Sequence, residues 1–430
     1  MAFAFTFLHN KRNPDQIGVL RAISVALPIL YLWCLVPLGW LGYASRCSEW
    51  PRCSLTGVSL STCIHTARAT GAMGALFMYP WLMTWFNLSQ FGENRHWSVK
   101  GSLATFQFGA GMYLVCSEQR FPWMNLAAIL LESFGLIAHY CKLLPHCASD
   151  RLRYCQTLCC VYASAAAVHV CLFTAALLGF EAVSDRWPYL SFLVECCAWT
   201  AMALFPLLWY HERFQGESHE AAAAVTRRTV FSLRVAGTGF PMCYIWCLFP
   251  LGQLHFALQT HTSLSATICT PEATGGMGAL FFYPCLHAWE NARELRHEDA
   301  CAKGTLIAFQ AFFGVFLSVP VIDFAALHLA AVGSFGLCGL IHCHAMLPFC
   351  AQLRQRHCRI TFRLALAAFA ALPVCRVIDH LVEWTACFYT GECCGLTTMM
   401  LYVFFWESAI DQAQGTLGKT GSAEYVAVPA

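Results

Sequence analysis

The stretches ATGAMGALFMYP at 69–80 and ATGGMGALFFYP at 273–284 decide the fold. Each is an apolar, glycine-containing run entering a long hydrophobic block, and they match each other nearly letter for letter. Working outward, YLWCLVPLG at 31–39 answers YIWCLFPLG at 244–252, and KGSLATFQ at 100–107 answers KGTLIAFQ at 303–310. SFGL recurs at 133 and 334, and His139 with Leu144-Pro145 answers His342 with Leu347-Pro348. Glu195-Cys196-Cys197 answers Glu392-Cys393-Cys394, and Trp209 answers Trp406. The matches keep their order, with offsets falling from 213 (31 to 244) to 197 (195 to 392). Ordered matches of this kind are the mark of an internal duplication.

The 430-residue chain is 58% hydrophobic and only 12% charged, with mean hydropathy +0.54. Soluble domains carry about 25% charged residues, so this chain could not cover a water-facing surface. Its apolar blocks run to about 20 residues, the length that crosses a hydrocarbon core. Twelve spans are predicted, near 22–44, 71–91, 100–117, 123–145, 155–179, 189–210, 235–256, 275–291, 303–322, 325–348, 361–380 and 391–408. The expected fold is an all-α polytopic transmembrane bundle of about twelve spans in two parallel six-helix repeats. Residues 1–16 form a cytosolic N-terminus, 17–211 the first repeat, 212–230 a cytosolic linker, 231–410 the second repeat and 411–430 a disordered cytosolic tail. An even number of spans per repeat returns the chain to the same side, so the repeats are related by an axis along the membrane normal and not by inversion.

Orientation follows from the basic residues. Twenty of the 26 Lys and Arg fall on the side of the N-terminus, among them Lys11, Arg95, Lys142, Arg227, Arg228, Arg293 and Arg354. The other six are Arg46, Arg52, Arg68, Arg120, Arg186 and Arg376. The positive-inside bias therefore places both termini in the cytosol, in an endomembrane or plasma membrane protein. No cleaved signal is read at the start, because a short apolar run precedes its basic residues instead of following them. Net charge is +2, and no basic block invites nucleic acid.

Most of the 26 cysteines lie inside apolar blocks, where a thiol is a small hydrophobe. Cys47 and Cys53 are the exception, close together in a polar loop on the non-cytosolic side, where a disulfide is chemically permitted. No spacing points to a bound metal, and no cofactor is expected. Haem between helices needs facing histidine pairs, yet His169 meets Pro373 and His287 meets Met83 in the other repeat.

The candidate binding residues are polar groups inside spans. Glu132 lies near the middle of span four, where an acidic residue costs about 2.5–3.5 kcal/mol on insertion scales, so it is expected to face the bundle interior, with Gln107 and Tyr113 as candidate partners. Its counterpart is read as Gly333. Glu195 and Glu392, at the non-cytosolic ends of spans six and twelve, read first as carboxylates facing water. Gln107 and Gln310 read as interhelical glue, and His139 and His342 lie shortly before a helix-closing Leu-Pro. Thr70 and Thr274 stand among Gly71, Gly74, Gly275, Gly276 and Gly278, a close-packing seam or a cleft for a lipid headgroup. No phosphate loop, serine elbow or zinc-protease motif is present, which leans against an enzyme.

The loop SLSATICTPEATGGMGALFF at 263–282, with Leu264-Ser265, Pro271-Glu272 and Gly275 in order, resembles the DRAM/Sfk-type family of six-span membrane proteins. This family includes damage-regulated autophagy modulators, the GPI-anchor lipid-remodelling protein and a cell-wall biogenesis protein's N-terminal domain. CCAWTAMALFPLLWYHERF at 196–214 is similar to the family's last helix. The first repeat departs from the pattern, with His65-Thr66-Ala67-Arg68 where Pro-Glu is expected. The resemblance implies a lipid-associated protein with membrane lipids and other membrane proteins as partners. A secondary transporter or channel and an intramembrane lipid-remodelling enzyme are the alternatives.

Overall fold

The computed structural model describes residues 14–45, 58–88, 96–180, 187–209, 223–253, 256–258, 263–294, 300–382 and 386–407. Within these the chain is helical, with no strand among the described residues. Cys47, Cys53, most of the 212–230 segment and the 411–430 tail lie outside the described residues.

Twelve long helices and two single-turn ones follow in order: α1 (Pro14–Trp40), the short α2 (Leu60–Cys63), α3 (Ala67–Leu88), α4 (His96–Val115), α5 (Pro122–Leu143), α6 (Ser149–Leu177) and α7 (Leu190–Leu208). Then come α8 (Ala223–Gln253), the short α9 (Leu264–Thr267), α10 (Pro271–Glu294), α11 (Ala300–Ser318), α12 (Ala325–Met346), α13 (Gln352–Val382) and α14 (Cys387–Phe405). Seven of the long helices are both long and apolar enough to cross a membrane. Large apolar side chains cover their outer faces, with Phe134 72% and Leu381 74% exposed. In water such a surface would drive association; against acyl chains it is the favourable one.

Several helices start earlier than their apolar blocks do. Helix α13 takes in Arg354, Arg356 and Arg359, and α8 includes residues 223–230, which the sequence reading gave to a linker. Arg, Ala and Gln are good helix formers, so the helix continues past the point where hydrophobicity ends.

Hydrogen bonds recur at matched positions in the two halves of the chain. Tyr31 donates to the Ala69 carbonyl and Tyr244 to that of Ala273. Trp33 and Trp246 donate to Thr200 and Thr397, both at 3.1 Å. Asn87 donates to Pro206 O and Asn291 to Val403 O, while Trp209 and Trp406 close onto Leu143 O and Met346 O. Helices α5 and α12 start after Phe121 and Phe324, and Asn125 and His328 bind back to the carbonyls of Cys116 and Val319. Phe121 and Phe324, Asn125 and His328, and Cys116 and Val319 are each 203 residues apart, as are His139 and His342. That register sets Phe335 opposite Glu132, and not Gly333. The matching SFGL letters are two residues out of step with the helices that carry them. In α13 the same offset puts Leu372, and not Pro373, opposite His169.

The halves meet along α3, α4, α10 and α11. A side chain on Gly71 would run into the Leu317 carbonyl, and one on Gly275 into that of Leu114. A Cβ on Gly74 would lie 3.6 Å from the Gly278 Cα, so these two glycines face each other. Gly111 faces Ala279 as Gly314 faces Ala75. Small residues let the backbones approach closely, the main source of packing between helices in lipid. Two ion pairs flank the seam, Arg68 to Asp323 at 3.2 Å and Arg120 to Glu272 at 3.3 Å. Arg68 and Glu272 occupy matched positions, as do Arg120 and Asp323. One half thus supplies both cations and the other both anions.

Candidate functional site: a buried carboxylate–histidine cluster

Ser59 caps α2, accepting from Thr62 N at 3.2 Å. That single turn leaves its first N–H groups without helical partners, and the Glu195 carboxylate on α7 takes the one from Leu60. The other Glu195 oxygen lies 3.0 Å from Nε2 of His169 on α6. His169 Nδ1 in turn lies 3.3 Å from the Ser191 hydroxyl. Glu195 and His169 are both 4% exposed.

Two further carboxylates join this pair. Glu118, in the loop between α4 and α5, accepts from Ser59 at 2.7 Å and from Ser61 at 3.0 Å. Burial pushes its carboxyl above the usual carboxylate range, the Ser59 and Ser61 hydroxyls pull it back, and the Glu195 charge adds to the rise. Glu132 on α5 is buried and shares a cavity wall with Tyr162 on α6. Glu132, Glu195, His169, Tyr162 and Tyr113 line one cavity of about 20 Å³, counted as space open to a water's centre. A water needs at least about 10–15 Å³ on that measure and two or more polar partners, so the cavity takes roughly one. The Tyr113 hydroxyl is buried there without a hydrogen-bond partner.

The arrangement runs from the α2 cap, through Glu118 and the Glu195–His169 pair, to Glu132 near the middle of α5. Three carboxylates facing one imidazole in a low-dielectric interior are too costly to ionise together. Glu132, Glu195 and His169 line one cavity, and the Ser59 hydroxyl joins Glu118 to the α2 turn whose Leu60 N–H Glu195 holds.

Glu132 does face the interior, where Tyr113 and Tyr162 line its cavity and Gln107 on α4 does not. Glu195 does not face bulk water, being only 4% exposed. A turn of helix folds over it and an imidazole lies against it. Glu392 is half-buried, accepting from Leu264 N at 2.6 Å and Ser265 Oγ at 3.1 Å. Thr70 and Thr274 offer no free hydroxyl to a headgroup, because each donates at 2.5 Å to the carbonyl six residues back, Ile64 or Ile268. His139 Nδ1 lies 3.2 Å from Val99 O and His342 Nδ1 2.8 Å from Ala302 O, so each ties neighbouring helices together and the two do not meet. Gln107 and Gln310 are buried and line no part of the Glu132 cavity, and the Gln107 amide, expected to bond across helices, has no hydrogen-bond partner among the described residues. Among the described residues, no group of three or more His, Cys, Asp or Glu is placed to hold a metal ion.

Sequence reasoning missed Glu118 and passed over His169. Glu118 sits in CSEQRF, a short charged loop that reads as water-facing. His169 is alone in an apolar block, where a histidine is most often structural. The asymmetry between the halves was the available signal. At the matched positions Tyr113, Glu132, Tyr162 and His169 become Phe316, Phe335, Ala365 and Leu372, and only the glutamate on the last helix stays.

Comparison with known proteins found no matching family model, no matching curated protein and no matching solved structure.

Proposed function

We propose that the chain is a twelve-span membrane protein of two parallel six-helix repeats, with both termini cytosolic, whose first repeat binds protons and conducts them, as a transporter or channel would. The observation that carries this reading is the buried Glu195–His169 pair with Glu118 and Glu132 around it. Ionisable residues within spans are by default candidates for proton relays or substrate paths. The 20 to 6 charge bias puts the α2 cap on the non-cytosolic side, so protons enter past Glu118 and reach Glu132 in mid-membrane. The ordered sequence matches, the recurring hydrogen bonds and the self-complementary seam support a fused pair of related six-helix units, with α3 and α10 at its centre. The five long helices that fall short on hydropathy include these two. A helix packed against protein on most sides tolerates Thr, Gly and Asn that a lipid-facing one does not.

The test is infrared difference spectroscopy of the reconstituted protein between acid and alkaline buffer. A protonated-carboxyl band should appear and be lost in Glu132→Gln or Glu195→Gln. Its absence from the unaltered protein would remove the proposal.

A second reading, lipid handling of the DRAM/Sfk type with membrane lipids as partners, draws support from the second half, where the matched site is an apolar slot.

A further inference from the structure

The slot in the second half lies where the first half keeps its imidazole. It is lined by Phe335, Phe369, Leu372, Glu392 and Gly395 and holds about 50 Å³, against about 20 Å³ for the first-half cavity. A second cavity of about 50 Å³ follows it along α14, and the two share Leu396 and Met399. Together they border α14 from Gly391 to Val403, about 18 Å at 1.5 Å per residue. Glycines open the walls, since a Cβ on Gly336 would strike the Phe369 ring and one on Gly339 would lie 3.2 Å from the Met399 sulfur.

At the cap end stands Glu392. In the first half His169 faces Glu195 at 3.0 Å. Leu372 holds the matched position near Glu392, and among the described residues no ion pair reaches that carboxylate. Its oxygens accept from Leu264 N and Ser265 Oγ, and the Arg376 guanidinium acts on it from beyond ion-pair distance, leaving lone pairs to spare.

We propose that this slot binds a single-chain amphiphile with a protonated amine head, the ammonium pairing with Glu392 and the tail lying along α14. The ammonium supplies the positive donor that His169 supplies to Glu195, and the tail fills a lining that is otherwise nearly all hydrocarbon. A buried carboxylate gains most from a partner that is both charged and hydrogen-bonding. This assignment stands on the slot alone, whether or not the first half moves protons.

The test uses the full-length protein in nanodiscs with three photoactivatable probes of one chain length, an amine, an alcohol and a carboxylic acid. The amine should label α12 and α14 at residues 336–339 and 391–399, at least tenfold above the acid, and be competed by unlabelled long-chain amine. Gly395→Leu fills the slot from a position where an added Cβ meets only Ala368 at 3.9 Å, and should cut amine labelling at least tenfold. Glu392→Gln should abolish the preference for amine over alcohol. If that variant does not fold, comparison of the three heads on the unaltered chain decides. Equal labelling by alcohol or acid, or amine labelling that Gly395→Leu leaves unchanged, would overturn the proposal.

Discussion

Replacing His169 with leucine tests the paired site at its most loaded contact, because the second half already carries leucine at the matched position. His169 and Glu195 are each 4% exposed and 3.0 Å apart. Removing one partner of a buried ion pair costs about 3–5 kcal/mol, mostly through the charge left behind. Glu195 keeps the Leu60 N–H as a donor, so the lower end, about 3 kcal/mol at neutral pH, is expected. Glu195→Gln alone removes the charge and costs less, about 1–2 kcal/mol for one imperfect hydrogen bond. The double variant should cost well under the sum, giving a coupling energy of about 1–3 kcal/mol in a double-mutant cycle. Reversible unfolding in mixed micelles, run at neutral and acid pH, measures all four proteins. Strict additivity, with a coupling below about 0.5 kcal/mol at both pH values, would refute the pairing.

Other outcomes follow from the seam and the cap. Arg120→Glu should destabilise by about 1–2 kcal/mol, discounted because Arg120 is 37% exposed, and adding Glu272→Arg should recover most of it, read as thermal midpoints. Gly71→Leu should abolish folded protein on size-exclusion chromatography, since the Leu317 carbonyl occupies the space, whereas Gly101→Ala, with open space around it, should behave as the unaltered chain. Glu118 has its carboxyl raised by burial, so the folded protein holds its proton to higher pH than the unfolded chain does. Stability from this group therefore falls as pH rises from the ordinary carboxylate value through the raised folded value. Glu118→Gln should flatten that fall in pH-dependent unfolding, and an unchanged slope would mean the group does not titrate there.

The long helices were legible because hydrophobic block length and internal matching are both written in the letters. Their N-terminal extensions were not, because a helix can leave the apolar zone on residues such as Arg354 and Arg356 that say nothing of where it stops. The misaligned SFGL shows a further limit: identical tetrapeptides in α5 and α12 sit two residues apart in helical register, which only the positions of Phe121, Asn125 and their partners reveal. Glu132 was readable as a costly intramembrane charge. Glu195 read as a water-facing terminus because the turn over it, Leu60–Cys63, is a single turn with no periodicity to detect. His169 and Glu195 are 26 residues apart on different helices, and no local pattern announces that they touch.

The central claim, that the first half carries protons into the membrane, is tested most directly in proteoliposomes with an internal pH-sensitive dye. An imposed inward proton gradient, with a potassium ionophore clamping the voltage, should collapse faster with the unaltered protein than in empty vesicles. His169→Leu, refolded and inserted to the same level, should slow that collapse at least tenfold, while Glu392→Gln in the other half should leave it unchanged. Collapse no faster than in empty vesicles, or a rate indifferent to His169, would contradict the account.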